Sequence, residues 1–264
     1  MTTPDHAGKA EASKFFDRVS GDYRDKYSTR SAFHHYFFNE RLEKALRGLD
    51  LSGKDVLDIG AGTGNLYDHL AQKTSDMRFF ATDVSSGMLA QSRIPVAQQY
   101  VGHAYQHPFP VRRFDAIFML GVTTYMEPQE LKRNLTFIAG SLKDGGVSVI
   151  TFTNKHGLDT ISRKILKAPL RSLGRKDKVL SSGLRTFYYS KSEAAALLDE
   201  QFQVMRWDLL NHTLFPFNLL IPKPSIWLAR KLSERRDAPA WLRPLSSDLM
   251  VRVTKKQQPG KGNL

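Results

Sequence analysis

Strand-like and helix-like patterns alternate along most of this chain. Behind a short polar tail, 1–12, the stretch 13–27 interleaves phenylalanine and tyrosine with charges and reads as a helix followed by a bent aromatic segment. Phe33, Phe37, Leu42, Leu46 and Leu49 then recur at near-helical spacing, which predicts a helix over 31–48. Apolar runs at 56–59, 77–83, 114–120 and 147–153 show the unbroken pattern of strands buried on both faces, with a shorter strand expected at 98–104. A helix over 128–142 stops at Lys143-Asp144-Gly145-Gly146, a basic residue followed by glycines. An alanine and leucine-rich helix at 190–200, a strand at 202–210 and a last strand at 248–255 complete the series. This order predicts one α/β domain with insertions.

The first strand runs into chemistry. Val56-Leu57-Asp58-Ile59 leads directly into Gly60-Ala61-Gly62-Thr63-Gly64-Asn65-Leu66, where glycines let the backbone turn tightly and admit a ligand without Cβ interference. Asp58 supplies an acceptor at the mouth of the sheet. A dinucleotide fingerprint would require glycine at position 65, where Asn65 stands. The second strand closes on Asp83, 19 residues beyond Gly64, where a carboxylate can accept both hydroxyls of a ribose. The order Asp-x-Gly-x-Gly-x-Gly with this strand-ending acid resembles the class I S-adenosylmethionine-dependent methyltransferases.

The resemblance implies a Rossmann-like seven-stranded α/β sheet with helices on both faces, an N-terminal lid, a C-terminal cap insertion, and S-adenosyl-L-methionine as cofactor. It implies cofactor contacts from Asp58, Gly60, Ala61, Gly62, Gly64 and Asp83, with Val84 and Met88 covering the adenine and Leu120 ending the fourth strand. His103 stands where the family has an aspartate that accepts from the adenine amino group; a neutral imidazole nitrogen or the backbone of Ala104 can accept instead. Phe16, Asp17, Tyr23 and Tyr27 match a lid that folds over the cofactor, the other reading being rings packed on the sheet edge.

Methyl transfer from a sulfonium is an in-line displacement, so the protein mainly aligns and desolvates the nucleophile. An oxygen nucleophile gains from a general base, for which the candidates are His156, Tyr125 and one of His34 or His35. Those two adjacent histidines point about 100° apart on a helix, so only one can face a pocket. Gly121 to Tyr125 are expected to face the reacting methyl. Gly121, Val122, Thr153 and Asn154 offer no acid for a metal. The absence of an Asn or Asp-Pro-Pro-aromatic run at 121–125 argues against methylation of nucleobase nitrogens and leaves RNA hydroxyls open.

Composition sharpens this only in part. The 264 residues are 41% hydrophobic, enough for a sizeable core, and contain no cysteine, which excludes disulfides, thiolate zinc sites and cysteine nucleophiles. The start of the chain lacks the apolar core of a secretion signal, and the apolar run at 209–222 is proline-broken and too short to span a bilayer. A cytoplasmic protein is expected, peripheral at a membrane in one reading. Lys and Arg outnumber Asp and Glu 39 to 26, a net +13 that favours an anionic partner. Much of that charge falls in 156–178, where Leu158, Ile161 and Ile165 form an apolar stripe. The stripe is expected to pack on the sheet beneath a solvated cap, with an anionic membrane surface and RNA as the alternatives. The stretch 211–244, with Pro216, Pro222, Pro224, Trp227 and Trp241, is expected to pack over a sheet edge or shape a pocket.

The expected organisation is a tail and lid helices (1–50), a cofactor-binding core (51–154), a cap insertion with the last strands (155–256) and a disordered tail (257–264). The expected activity is methylation, at oxygen, of a small or lipid-linked molecule. An RNA methyltransferase and a catalytically silent protein that binds membrane or a partner enzyme are the alternatives.

Overall fold

The computed structural model describes residues 4–26, 32–74, 76–163, 165, 184–234 and 240–256. Its strands are β1 (Asp55–Ile59), β2 (Arg78–Asp83), β3 (Gln99–Val101), β4 (Phe114–Met119), β5 (Leu142–Thr153), β6 (Phe202–Leu210) and β7 (Asp248–Lys255). They form one sheet in the order β3-β2-β1-β4-β5-β7-β6. The first five are parallel, and β7 enters antiparallel between β5 and β6. The helices are α1 (Pro4–Lys26), α2 (Ala32–Leu46), α3 (Asn65–Ala71), α4 (Ser86–Ala90), α5 (Pro128–Ser141), α6 (158–163), α7 (Lys191–Asp199), α8 (Phe217–Leu220) and α9 (Pro222–Ser233).

The side-chain period of two in each strand feeds two cores. On one face Leu57, Ile117, Ile150 and Phe152 pack with Leu131, Leu135 and Ile138 of α5 and Leu198 of α7. On the other, Val56, Phe79, Phe118 and Val149 meet Leu42 and Leu46 of α2 and Leu66 and Leu70 of α3. Central strands buried on both faces explain why their sequences are apolar without alternation. Strand order reverses between β1 and β4, which opens a crevice at their carboxyl ends.

Two boundaries differ from the sequence expectation. α1 begins at Pro4, inside the stretch read as a polar tail, where Ala7, Lys9, Ala10, Glu11 and Ala12 are good helix formers. β5 begins at Leu142 instead of Val147, with a break in its register against β4 and Gly145 at φ +77° absorbing the bend. The tail at 257–264 and most of the basic stretch between Lys164 and Lys178 lie outside the described residues.

The amino edge of the sheet is tied by charge. Arg78 donates to both oxygens of Asp55 at 2.7 and 2.8 Å, and Lys143 reaches Asp55 at 3.3 Å and Asp115 at 2.6 Å. Asp115 also accepts from the Asp55 N–H at 2.9 Å, joining β1 to β4. The Arg78 hydrogen bonds, followed by those of Lys143, hold the Asp55 carboxyl below the usual carboxylate range. Asp55→Ala is expected to cost about 1–2 kcal/mol in urea unfolding, the scale of a charged hydrogen bond discounted for the exposure of Arg78. Because the folded pKa is depressed, this stabilisation is present above the ordinary Asp value and is lost as pH falls through the folded one. An equal wild-type advantage over Asp55→Ala at neutral pH and at pH about 2 would show that the carboxylate does not supply it.

Candidate active site

The site is assembled where β1, β2 and β4 end. β1 delivers Asp58, buried at 4% exposure, and the chain then turns through glycines at φ +74° (Gly60), +55° (Gly62) and +79° (Gly64). These glycines answer different constraints. A Cβ on Gly60 would stand 2.4 Å from Val122 of the loop after β4, whereas one on Gly62 would meet nothing within 4 Å. The turn is therefore pressed against its neighbour at one glycine and open at the next, a cradle with room over its backbone. The N–H groups of Gly60 and Ala61 both donate to the Thr82 carbonyl, at 2.7 and 3.0 Å, fastening the turn to the end of β2.

Asp83 completes that fastening. Its Oδ2 accepts from the Gly62 N–H and its Oδ1 from the Ser85 N–H, both at 2.8 Å, and each oxygen retains a lone pair for a further donor. Burial, reinforced by the charge of Asp83, pushes the Asp58 carboxyl up to about 8. Burial also lifts Asp83 to about 6, against the two backbone hydrogen bonds that favour its charged form. Two acids so placed make the cleft hostile to a further negative charge and favourable to a cation.

Residues after Asp83 build the wall beside it. Ser85 caps α4 by accepting from the Met88 N–H at 3.0 Å. Met88 is buried yet belongs to neither core cluster, and Val84 is half-buried with its carbonyl accepting from Ser13 at 2.9 Å. His103 presents Nδ1 to Glu130 at 3.0 Å and stacks on Tyr105 with ring centroids 5.1 Å apart. A neutral His103 that donates through Nδ1 keeps Nε2 as an acceptor. Ala104 is fully buried beside it.

The N-terminal helix closes over this wall. Asp17 of α1 accepts from the Ser85 hydroxyl at 2.6 Å and the Gly87 N–H at 2.9 Å, and these bonds hold its carboxyl below the ordinary range. Gly87 makes the approach feasible, since a Cβ there would stand 3.0 to 3.3 Å from Ser20 and Asp17. Phe16 meets both Tyr23 (6.3 Å) and Tyr125 (5.1 Å), edge to face, so α1 bridges to the loop after β4. Tyr27 lies outside the described residues.

Beyond Leu120, which is half-buried, the Gly121 N–H donates to Thr151 at 2.6 Å and Thr123 donates to the Thr151 carbonyl at 2.7 Å. Of the sequence-derived base candidates, His156 is exposed in the turn after β5, its N–H held by Asn154 at 3.1 Å, and Tyr125 is half-buried against Phe16. His34 is half-buried beside Phe33, while His35 is exposed and bonded to Asn39 at 2.9 Å.

A group of residues that sequence reasoning missed occupies the same carboxyl edge. Arg41 of α2 is buried, pairs with Asp248 at 2.8 Å, and lies so close to Gly121 that a Cβ there would be 2.4 Å from its NH1. Asn211 donates its side chain to Asp248 at 2.8 Å and its N–H to Glu40 at 2.9 Å, and Glu40 pairs with Lys44 at 3.1 Å. The next residue, His212, is buried, and burial lowers its pKa to about 4, so it is neutral. Neither of its ring nitrogens has a protein partner among the described residues, and neither does the Thr213 hydroxyl. The one signal for this cluster in the sequence is Glu40 and Lys44, four apart within an otherwise apolar helix face.

Residues 56–146, which span the glycine turn, both acids and the fourth strand, match the methyltransferase domain family. That stretch, about a third of the chain, is similar to a methyltransferase domain. The demethylmenaquinone methyltransferase of Thermotoga maritima is 30% identical over 113 residues, 41% of this chain and 48% of that one. The malonyl-[acyl-carrier protein] O-methyltransferase of a Marinomonas species is 28% identical over 173 residues, 62% of this chain and 60% of that one. The chain thus spans about half the length of the first relative and somewhat more of the second. The magnesium protoporphyrin IX methyltransferase of Synechocystis, solved with bound S-adenosylhomocysteine, superposes with a TM-score of 0.60 at 13% identity, covering 95% of this chain and all of that one. The seven-stranded sheet of this domain is therefore the methyltransferase sheet.

The bonds from Asp17 fasten α1 to the start of α4. Asp17→Ala is expected to speed amide hydrogen exchange across 11–23 and in the first turn of α4, with the central strands unchanged. Unaltered exchange in α1 would mean that ring packing alone seats the helix.

Proposed function

We propose that this chain is an S-adenosylmethionine-dependent methyltransferase that methylates an oxygen of a small or lipid-linked molecule. The observation that carries the reading is the buried pair Asp58 and Asp83 on either side of an open glycine turn. A cofactor with a ribose and two cationic groups suits that cleft. Asp83 has lone pairs left for the ribose hydroxyls, the Gly60 to Gly64 backbone gives close approach, Met88 and Val84 wall the adenine side, and His103 Nε2 or the Ala104 backbone takes the adenine amino group. When bound, S-adenosylmethionine supplies a methyl already activated by its sulfonium. The protein's part is to align the acceptor and exclude water, for which α1 and the 121–125 loop provide cover.

The preference for oxygen rests on the acceptor edge. Neutral His212, whose ring nitrogens have no partner among the described residues, can accept a hydrogen bond from an acceptor hydroxyl and orient it. A pKa of about 4 makes it a weak general base at neutral pH, so orientation is its stronger role. The malonyl-carrier relative, an O-methyltransferase by name, points the same way.

Calorimetry with S-adenosylmethionine tests the cofactor assignment. Asp83→Ala should weaken binding by roughly 1.5–3 kcal/mol, the scale of hydrogen bonds to a charged group. Since Asp58 titrates at about 8 in the free protein, it is largely protonated at pH 7, and a cationic ligand that lowers its pKa expels the proton. Binding at pH 7 should therefore release up to about one proton, and affinity should rise towards pH 8 and level off above it. The unliganded protein should lose stability over the same rise, because a raised carboxyl pKa contributes fully only below its unfolded value. Identical binding enthalpies in buffers of different ionisation enthalpy would remove Asp58 from this role, and no binding at all would remove the cofactor.

A further inference from the structure

The apolar stripe of 158–165, expected to pack on the sheet, does not do so. Leu158, Ile161 and Ile165 are exposed, and α6 is instead held by its other face: Asp159 accepts from the Phe215 N–H at 2.8 Å and Arg163 lies 4.7 Å over the Phe215 ring. Just beyond that anchor, α8 and α9 carry a second set. Trp227 is 64% exposed and Leu220 61%, while Phe217, Ile221 and Leu228 are each about half exposed. Only Ala229 of α9 is fully buried among its described side chains, and it lies on the opposite side of the helix from Trp227. A patch of this kind on a folded domain marks an interaction surface.

We propose that α8 and α9 form a docking surface for an anionic lipid bilayer. Charge selects this occupant. Lys223, Trp227 and Lys231 follow one another at intervals of four along α9 and so share a stripe, with Arg230 beside it, all exposed. A tryptophan between lysines is suited to the headgroup level, where the ring enters the acyl boundary and the ammonium groups stay with lipid phosphates. The chain's net charge of +13 acts in the same sense at longer range. No helix among the described residues is long and apolar enough to cross a membrane, so the contact is peripheral.

The position is functional. α6 follows the carboxyl end of β5, and the segment leading to α8 follows that of β6, so the patch borders the acceptor edge around Asn211 and His212. A domain seated this way would take an acceptor from the lipid phase.

The test uses the whole chain without cofactor, sedimented with vesicles of phosphatidylcholine alone or with added phosphatidylglycerol. The wild type is expected to bind only the anionic vesicles, with a blue shift of tryptophan emission. Trp227→Glu and the double change Lys223→Glu with Lys231→Glu are each expected to lower partitioning about tenfold or more. Trp227→Phe should keep the binding and lose the shift. S-adenosylmethionine affinity should be unchanged in all three variants, which confirms folding and keeps this result separate from the cofactor assignment. Absence of binding to anionic vesicles, or binding indifferent to Trp227→Glu, overturns the proposal. So does a dimer in solution that Trp227→Glu dissociates, which would make a second copy of the chain the occupant. Salt-sensitive RNA binding without vesicle binding would assign the charge to nucleic acid instead.

Discussion

The burial of two neighbouring acids, Asp58 and Asp83, sets the terms for the amino half of this molecule. The two carboxyls close neighbouring strands and are both buried; burial raises the cost of ionising each, and the charge of Asp83 adds to that cost at Asp58. The chain offsets that cost at Asp83 alone, by directing two backbone N–H groups at it from the Gly62 turn and from Ser85. Those bonds fix where the glycine turn lies and where α4 starts. The start of α4 in turn fixes α1, because Ser85 and Gly87 present the donors that Asp17 takes up. The hydrogen bonds that a buried acid requires thus propagate into the placement of a turn, a helix and α1, 66 residues away in sequence, from Asp17 to Asp83.

Features decided by near neighbours along the chain are legible in the sequence. The strand, turn and helix at 55–71, the acid at the end of β2, and the boundaries of α5, α7, β6 and β7 all follow from periodicity and from glycine and capping signals within a few residues. The acceptor edge is opaque for the opposite reason. Arg41 meets a partner 207 residues away and Glu40 one 171 residues away, and beyond the spacing of Glu40 and Lys44 nothing local distinguishes these from solvated charges on a helix. His212 carries no signal at all, since its burial is created by α2 and the chain following β6. His156, one of the base candidates, lies exposed because Asn154 takes the inward position, donating to the Arg243 and Ser246 carbonyls.

The stripe of Leu158, Ile161 and Ile165 shows a further limit of pattern reading. Helical spacing of apolar residues establishes that they share a face and says nothing about what that face meets. Asp159 and Arg163 displace them from the inward position because their partners, the Phe215 N–H and the Phe215 ring, are supplied by another segment. A buried carboxylate must find donors, and here that requirement decides the orientation of the helix.

The distribution of charge also separates what the acceptor edge takes from what the surface takes. Among the described residues, buried Arg41 pairs with Asp248 and buried Lys44 with Glu40, and half-buried Arg163 pairs with Asp159. A strongly anionic acceptor would have to compete with these carboxylates for their partners, and the break would leave an acid buried and unpaired, which is costly. Under the proposed methyl transfer, this arrangement favours an acceptor that is neutral at its reacting group, held by polar atoms such as the His212 nitrogens and the Thr213 hydroxyl, which have no partner among the described residues. The excess of lysine and arginine is expressed outside, on faces such as α9. An anionic requirement and a neutral reacting group are reconciled if the charge belongs to the surface on which the acceptor resides and the hydroxyl belongs to the acceptor itself.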